Sequence, residues 1–299
     1  MAVKETILGI ALTERGVQAV EIERNGPSSK LLAIDEWDNT VSFTGSDPGR
    51  GVQQFLEYLS AFLKVNQSKT RKASIALDTS LLFLTTLPME EGLTRAEITE
   101  HISWELSQYF PTFTQKEFIS DVHPLAHPDV ERWREVLSVS IRRNHASLIQ
   151  KALAQIGIEL YILDVDHFAA DTALRLNYPD AYRKYIALVG VKENRLDISL
   201  IRNGSLESYS YAIVSSNKEI VDRIALLSQE AKGVFSITTY GPYLDRELLT
   251  QIRRTSRLLV EAMNPLRHVA ISDTLRIADH LSMPSYKFAA AVGAALRRD

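Results

Sequence analysis

The chain is 299 residues long, with 45% hydrophobic and 24% charged residues and a formal net charge of -3. Those values fit a globular protein with room for two domains and a sizeable core, and they argue against a surface coated in positive charge for nucleic acid. No cysteine occurs, which removes disulfides, thiol catalysis and thiolate metal sites.

In chain order, Ile7 to Leu12 and Val17 to Glu23 read as strands, and Asn25-Gly26-Pro27 turns the chain into a third, Lys30 to Glu36. The start, Met1 to Thr6, has no apolar stretch of signal-peptide type. No apolar run approaches 20 residues, so direct insertion across a membrane is not expected. Val41 to Gly51 reads as a surface loop. Val52, Phe55, Leu56, Leu59, Phe62 and Leu63 then recur at three- and four-residue steps, predicting a helix over Val52 to Val65. Strands are expected at Ala73 to Leu77 and at Leu81 to Leu87, the latter ending at Pro88. Thr94 followed by Glu97 is a capping box opening a helix with Ile98, Ile102, Leu106 and Phe110 on one face, stopped by Pro111. Phe118 to Leu125 and Val136 to Ile141 read as partner strands. A helix carrying Leu148, Ile149, Ala152, Leu153 and Ile156 ends at Gly157.

Residues 73–157 therefore read as a strand–helix–strand–strand–helix insert with its own small core. Glu159 to Val165 returns as a strand and His167 to Leu176 as a helix. The interruption at Tyr178-Pro179-Asp180 suggests a domain change, giving a first domain of 1–180 and a second of 181–299. The second half opens as the first does, with strands at Ile186 to Val191, Leu196 to Ile201 and Leu206 to Val214. An Asn203-Gly204 turn joins the last two. This echo argues for duplicated halves. Beyond it lie a helix over Glu219 to Ala231, a strand over Phe235 to Thr239, a helix over Asp245 to Met263, a strand at Val269 to Ser272 and a terminal helix over Ser285 to Arg298.

Two of these hairpins, Ile7 to Glu23 and Tyr185 to Ile201, have the shape of strand–turn–strand units that offer backbone N–H groups to phosphate. Such a unit needs a glycine at its tight turn and an acid at the end of the first strand to hold Mg²⁺. Neither hairpin has both.

The order and spacing of several short motifs resemble the PilM family of type IV pilus assembly proteins over nearly the whole chain. They are Gly9-Ile10 with Val17-x-Ala19-Val20-Glu21; Leu87-Pro88 with Glu97-Ile98; Ile102-x-x-Glu105-Leu106-x-x-Tyr109-Phe110-Pro111 with Asp121; Leu153 to Gly157-Ile158; Asp164-Val165-Asp166 with Ala169; and Asn264-Pro265-Leu266 with Ala290-x-x-Gly293-Ala294-Ala295-Leu296-Arg297. The resemblance implies an α/β, actin-like (ribonuclease H-like) duplicated two-domain fold with a small α+β insert in the first half. It also implies a cytoplasmic protein that receives the cytoplasmic peptide of a PilN-like inner-membrane protein and is recruited to that membrane through it.

The chain departs from the family at the nucleotide site. Where the family has Gly-Ile-Asp-Ile-Gly, it has Gly9-Ile10-Ala11-Leu12-Thr13, so Ala11 and Thr13 replace the acid and the turn glycine. The second Asp-Ile-Gly becomes Gly190-Val191-Lys192, and a Gly-Gly near the adenosine site becomes Gly241-Pro242. The stretch from Tyr211 to Thr239 is also short, implying a reduced second domain. These losses lead to the expectation of a pseudo-ATPase with no cofactor, no metal and no catalytic residues, acting as an adaptor that engages partners and not nucleic acid. ATP with magnesium is the alternative cofactor, and an actin-like polymerising or cell-division scaffold that self-associates is a third reading.

Single residues leave choices open. Asp164 and Asp197 are metal ligands or local structural groups; Lys192 is a solvated turn residue or a phosphate contact. Arg15, ahead of Gly16, poses the same choice. His123 and His127 flank Pro124 and cannot share a helical face as zinc ligands. Arg253, Arg254 and Arg257 read as a solvated basic face. Ile98, Ile102, Trp104, Leu106, Tyr109 and Phe110 are candidates for partner binding, or else the core of the insert.

Overall fold

The computed structural model describes residues 4–13, 16–39, 48–90, 92–112, 115–126, 133–273, 275 and 283–298. Arg15, His127 and most of the loop expected at 41–51 lie outside them.

The first sheet begins with an antiparallel meander of β1 (Lys4–Leu12), β2 (Val17–Asn25) and β3 (Ser28–Trp37). The helix α1 (Pro48–Val65) crosses one face and leads into β4 (Lys72–Leu77), parallel to β1. The chain then leaves this sheet through β5 (Phe83–Glu90), α2 (Arg95–Tyr109), β6 (Phe118–Pro124) and β7 (Trp133–Arg142). These strands form a separate antiparallel sheet in the order β5-β7-β6. After α3 (Arg143–Gln155), β8 (Glu159–Val165) rejoins the first sheet parallel to β4, and α4 (Asp166–Asn177) follows at once.

The second sheet repeats the plan. A short helix α5 (Pro179–Tyr182) precedes the meander of β9 (Tyr185–Val191), β10 (Arg195–Arg202) and β11 (Ser205–Ile213). Then come α6 (Asn217–Glu230), β12 (Ser236–Tyr240) parallel to β9, α7 (Arg246–Thr255) and β13 (Leu259–Ala262) parallel to β12. Strand order 3-2-1-4-8 in one sheet corresponds to 11-10-9-12-13 in the other, which is the duplication the echoed openings suggested.

Several boundaries differ from those expected. The insert does not begin at residue 73 or end at 157. The strand β4 lies between β1 and β8, and α3 buries Ile149 and Leu153 in one cluster with Phe55 and Leu59 of α1. Only β5, α2, β6 and β7 form the separate unit, around Leu87, Met89, Ile102, Leu106, Phe118 and Val136. β5 continues past Pro88, which sits opposite Glu135 on an edge strand, where a missing N–H is tolerated. The helix expected through Met263 stops at Thr255. Ser256 turns to an extended backbone there, and the following residues form β13, with Arg253 Nε donating to the Val260 carbonyl.

The C-terminal segment also crosses the expected domain boundary. β14 (Ala270–Ile271) pairs with β3 of the first sheet. α8 (Ala289–Leu296) is buried along its length, in a cluster with Ile7, Ala11, Val20 and Ala169. The first domain is thus completed by residues far beyond 181.

Candidate functional site

The first turns of the two meanders close alike. In each, the residue after the first strand accepts the same closure: Thr13 N donates to Gly16 O, and Lys192 N donates to Arg195 O. Side chains make the turns different. Thr13 closes its own hairpin, with Oγ1 donating to the Gly16 carbonyl and accepting from the Gly16 amide, both at 3.1 Å. Ala11 is fully buried in the apolar cluster of α8. Among the described residues of this turn there is no carboxylate.

Lys192, read from sequence as a solvated turn residue, is instead buried, with 3% side-chain exposure. Its Nζ lies 2.7 Å from Asp166 Oδ2, 3.0 Å from Asp197 Oδ2, 3.1 Å from Asp78 Oδ2 and 2.5 Å from Thr79 Oγ1. An ammonium has three protons, so one of these four oxygens is held by charge alone, and Asp78 is the most distant.

Each oxygen is placed by local structure. Asp78 follows β4 and caps a short 3₁₀ turn, its Oδ1 accepting from Ser80 N. Thr79 Oγ1 passes its own proton to Asp197 Oδ2 at 3.0 Å. Asp166 starts α4, its Oδ1 accepting from His167 N. Asp197 lies on β10, and its Oδ1 receives Arg195 Nε at 2.8 Å and the Tyr209 hydroxyl at 2.7 Å. His167 completes the layer, with Nδ1 2.8 Å from the Tyr240 hydroxyl and Nε2 2.9 Å from Ser199 Oγ.

The electrostatics follow from burial and from the charge count. Burial alone would strip the proton from Lys192, but the three carboxylates overcome it and hold its pKa above the ordinary lysine value. Burial opposes ionisation of Asp197 too, yet Lys192 and Arg195 keep it below the carboxylate range. Asp166 goes the other way. Burial, with Asp78 and Asp197 beside it, pushes it up to about 8 in spite of Lys192. Burial also pulls His167 down to about 4, so its imidazole is neutral.

These residues do not fit a nucleotide-bound magnesium ion. The ammonium sits among the carboxylates that would face the metal, and Ala11 and Thr13 supply no ligand opposite. A Cβ on Gly190 would meet the Tyr240 hydroxyl at 2.7 Å, so that phenol lies directly over the strand end. Gly241 has φ +131°, and a Cβ there would fall 2.3 Å from the Val191 carbonyl. Glycine is required at that position for packing, and Pro242 follows it with no amide proton to offer.

Sequence reasoning weighed Asp197 with Asp164 as ligands, and the structure separates them. Asp197 is in the cage, whereas Asp164 forms an ion pair with Arg297. Asp78, Thr79, His167 and Tyr240 were not singled out, and Asp166 entered only within the Asp164-Val165-Asp166 motif. Their signal was present, since Asp78 and Asp166 follow the carboxyl ends of parallel strands, where open α/β sheets carry their sites. Of the partner-binding candidates, Ile102 and Leu106 are buried in the insert's core with Ile98 and Phe110 packed against it. Trp104 and Tyr109 are each 57% exposed. Arg253, Arg254 and Arg257 are exposed.

A groove of about 1350 Å³ opens elsewhere, between the insert and the first sheet. Ile119 of β6 lines one side, Leu160 and Leu163 of β8 and Phe168 of α4 the other, and Leu206 lies in the lining as well. The strands β6 and β8 are both at sheet edges. On the α4 side, Asp171 Oδ2 accepts from the Tyr182 hydroxyl at 3.0 Å, while its buried Oδ1 has no hydrogen-bond partner. Burial raises this carboxyl to about 6.

Comparison with solved structures places the fold. A type IV pilus biogenesis complex of PilM and PilN contains a chain superposing with a TM-score of 0.77 at 17% identity, covering 99% of this chain and 98% of that one. A Bacteroides thetaiotaomicron protein with an actin-like ATPase fold and unknown function gives 0.54 at 14% identity, covering 87% and 91%. The ethanolamine utilization protein EutJ of Carboxydothermus hydrogenoformans gives 0.52 at 11% identity, covering 97% and 89%. The two-domain fold is therefore actin-like. The model of the family described as type IV pilus assembly protein PilM matches residues 9–232, so the chain belongs to the PilM family.

Proposed function

We propose that this chain is a non-catalytic scaffold of type IV pilus assembly that holds an extended cytoplasmic peptide of a PilN-like inner-membrane protein. The groove between β6 and β8 carries the reading. It is bordered by two strand edges with backbone groups available for pairing, and its apolar side chains can receive alternate residues of an added strand. The likeness to a PilM chain solved with PilN supports the choice of partner. Among the described residues no helix is long and apolar enough to cross a membrane, and in this reading the partner recruits the protein to the cytoplasmic face.

The test is fluorescence anisotropy with a labelled peptide from the cytoplasmic N-terminal segment of the PilN-like partner. Saturable binding is expected, weakened about 10-fold or more by Ile119→Asp, since a charge in an apolar pocket removes more than 1.4 kcal/mol. Ile119 is 42% exposed, so the melting temperature should not change. Undiminished binding to the variant would place the peptide elsewhere. In parallel, calorimetry with MgATP is expected to give no heat of binding into the millimolar range, and micromolar affinity would sink the non-catalytic assignment.

A further inference from the structure

The oxygens around Lys192 come from both halves of the molecule. Asp78 and Thr79 follow β4 of the first sheet, Asp166 lies where β8 meets α4, Asp197 is on β10 of the second sheet and Lys192 follows β9. Among the described residues no group of His, Asp or Glu is set to hold a metal ion as it stands. The three carboxylates instead converge on one nitrogen, at 2.7 to 3.1 Å. Hard divalent cations want such oxygens at about 2.1 Å for Mg²⁺ and about 2.4 Å for Ca²⁺. The cage is therefore slightly too wide for a metal and correctly sized for an ammonium.

We propose that Lys192 is a tethered cation that takes the place of a divalent metal at the domain junction, joining the two halves through Asp78, Asp166 and Asp197 without metal or nucleotide. A lysine at this turn supplies one positive charge where Mg²⁺ would supply two. The missing charge is made up by Arg195, which pairs with Asp197 on the side away from Nζ. An ammonium on a covalent stem cannot dissociate, so the junction does not depend on ion concentration. Its burial also removes this ammonium from contact with a phosphate in solvent.

The inference predicts opposite responses to metal in two proteins. The wild-type chain should show no calorimetric binding of Ca²⁺ or Mg²⁺ at this site, and its Tm should be the same in millimolar CaCl2 as in chelator. Lys192→Ala removes the ammonium and opens the space it fills. In chelator its Tm should fall by about 10 °C, as expected for breaking a buried ion cluster in a chain of this size. Millimolar Ca²⁺ should restore a large part of that loss, with one ion bound per chain. Lys192→Met keeps the stem and blocks the space, so it should be destabilised and insensitive to Ca²⁺.

If Lys192→Ala aggregates, the same comparison is made on Lys192→Ala with Asp166→Asn, which removes one carboxylate along with the ammonium and leaves two to bind the ion. A wild-type Tm that rises with Ca²⁺ or Mg²⁺, with stoichiometric binding abolished by Asp197→Asn, would overturn the inference. So would an alanine variant, single or double, that is indifferent to both ions.

Discussion

Three carboxylates around one ammonium leave surplus negative charge, and burial, with Asp78 and Asp197 close by, raises the pKa of Asp166 in spite of Lys192. Asp78 and Asp197 face it across Lys192 Nζ, and among the described residues Lys192 is its one ion-pair partner. A carboxyl whose pKa is raised on folding retains a proton that the unfolded chain has released, so its contribution to stability is complete below about pH 4 and is lost as pH rises through about 8. Across that window Asp166 should lower stability by up to about 1.4 kcal/mol per pH unit. His167 acts in the opposite sense: held neutral with a pKa of about 4, it costs stability as pH falls from about 6.5 toward 4. Asp166→Asn mimics the neutral acid and still offers Lys192 an oxygen. The variant should be close to wild type at pH 4 and more stable than it at pH 8 in urea melts, by a margin that widens across the window at up to about 1.4 kcal/mol per pH unit. A variant less stable than wild type at both pH values would show that Asp166 is ionised. Little of this was legible in the sequence, because the cage joins positions such as Thr79 and Asp197, 118 residues apart. A lysine between Val191 and Glu193 in a turn gives no local sign of burial.

At the scale of elements, periodicity and caps were legible where one helix or strand explains its own residues. Thr94 and Glu97 form the reciprocal capping box that their spacing implied, and the Ile98–Phe110 stripe faces the insert's own sheet. The misread elements are those whose identity depends on a neighbour. β13 is a strand because β12 offers it a parallel edge, and β4 belongs to the first sheet because β1 and β8 flank it. The terminal helix shows a finer dependence. α8 is made of small residues, and a Cβ on Gly293 would fall 1.7 Å from the Ala169 carbonyl of α4. Gly9 on β1 is equally constrained, with the Ala291 carbonyl at 2.1 Å from a built Cβ. These glycines serve close backbone approach, not turn geometry. Gly293→Val should therefore force α8 away from α4 and destabilise the protein by about 3 kcal/mol, a lowered urea midpoint with little change in slope. Leu226→Ala, on an exposed face of α6, should stay within about 0.5 kcal/mol. Equal effects from the two would remove the close-packing role assigned to Gly293.

For the whole molecule, the duplicated plan could be read from the two echoed openings, but the place where the halves meet could not. The break at Tyr178-Pro179-Asp180 is real as a break in helix, between α4 and α5. It does not divide the cores. Phe288, Ala291, Val292 and Ala295 are fully buried beside Ile7, Ile22 and Leu31, so the first sheet is covered on one face by the last helix of the chain. A continuous first domain ending near residue 180 would expose that face. A chain ending at Met283 keeps Lys192, Asp197 and the second sheet but lacks α8. It should lose cooperative unfolding of the first sheet, bind a hydrophobic dye and lose near-ultraviolet circular dichroism, while the cluster around Val189, Ile237 and Leu248 retains its own transition. Residues 284–299 supplied as a tethered segment at the N-terminus should recover the lost transition, since what matters is the apolar cover and not its position in the chain. Full cooperativity in the truncated chain would instead mean that the first sheet holds together without α8. The cage around Lys192 would then have to account for more of the domain junction than its four oxygens can.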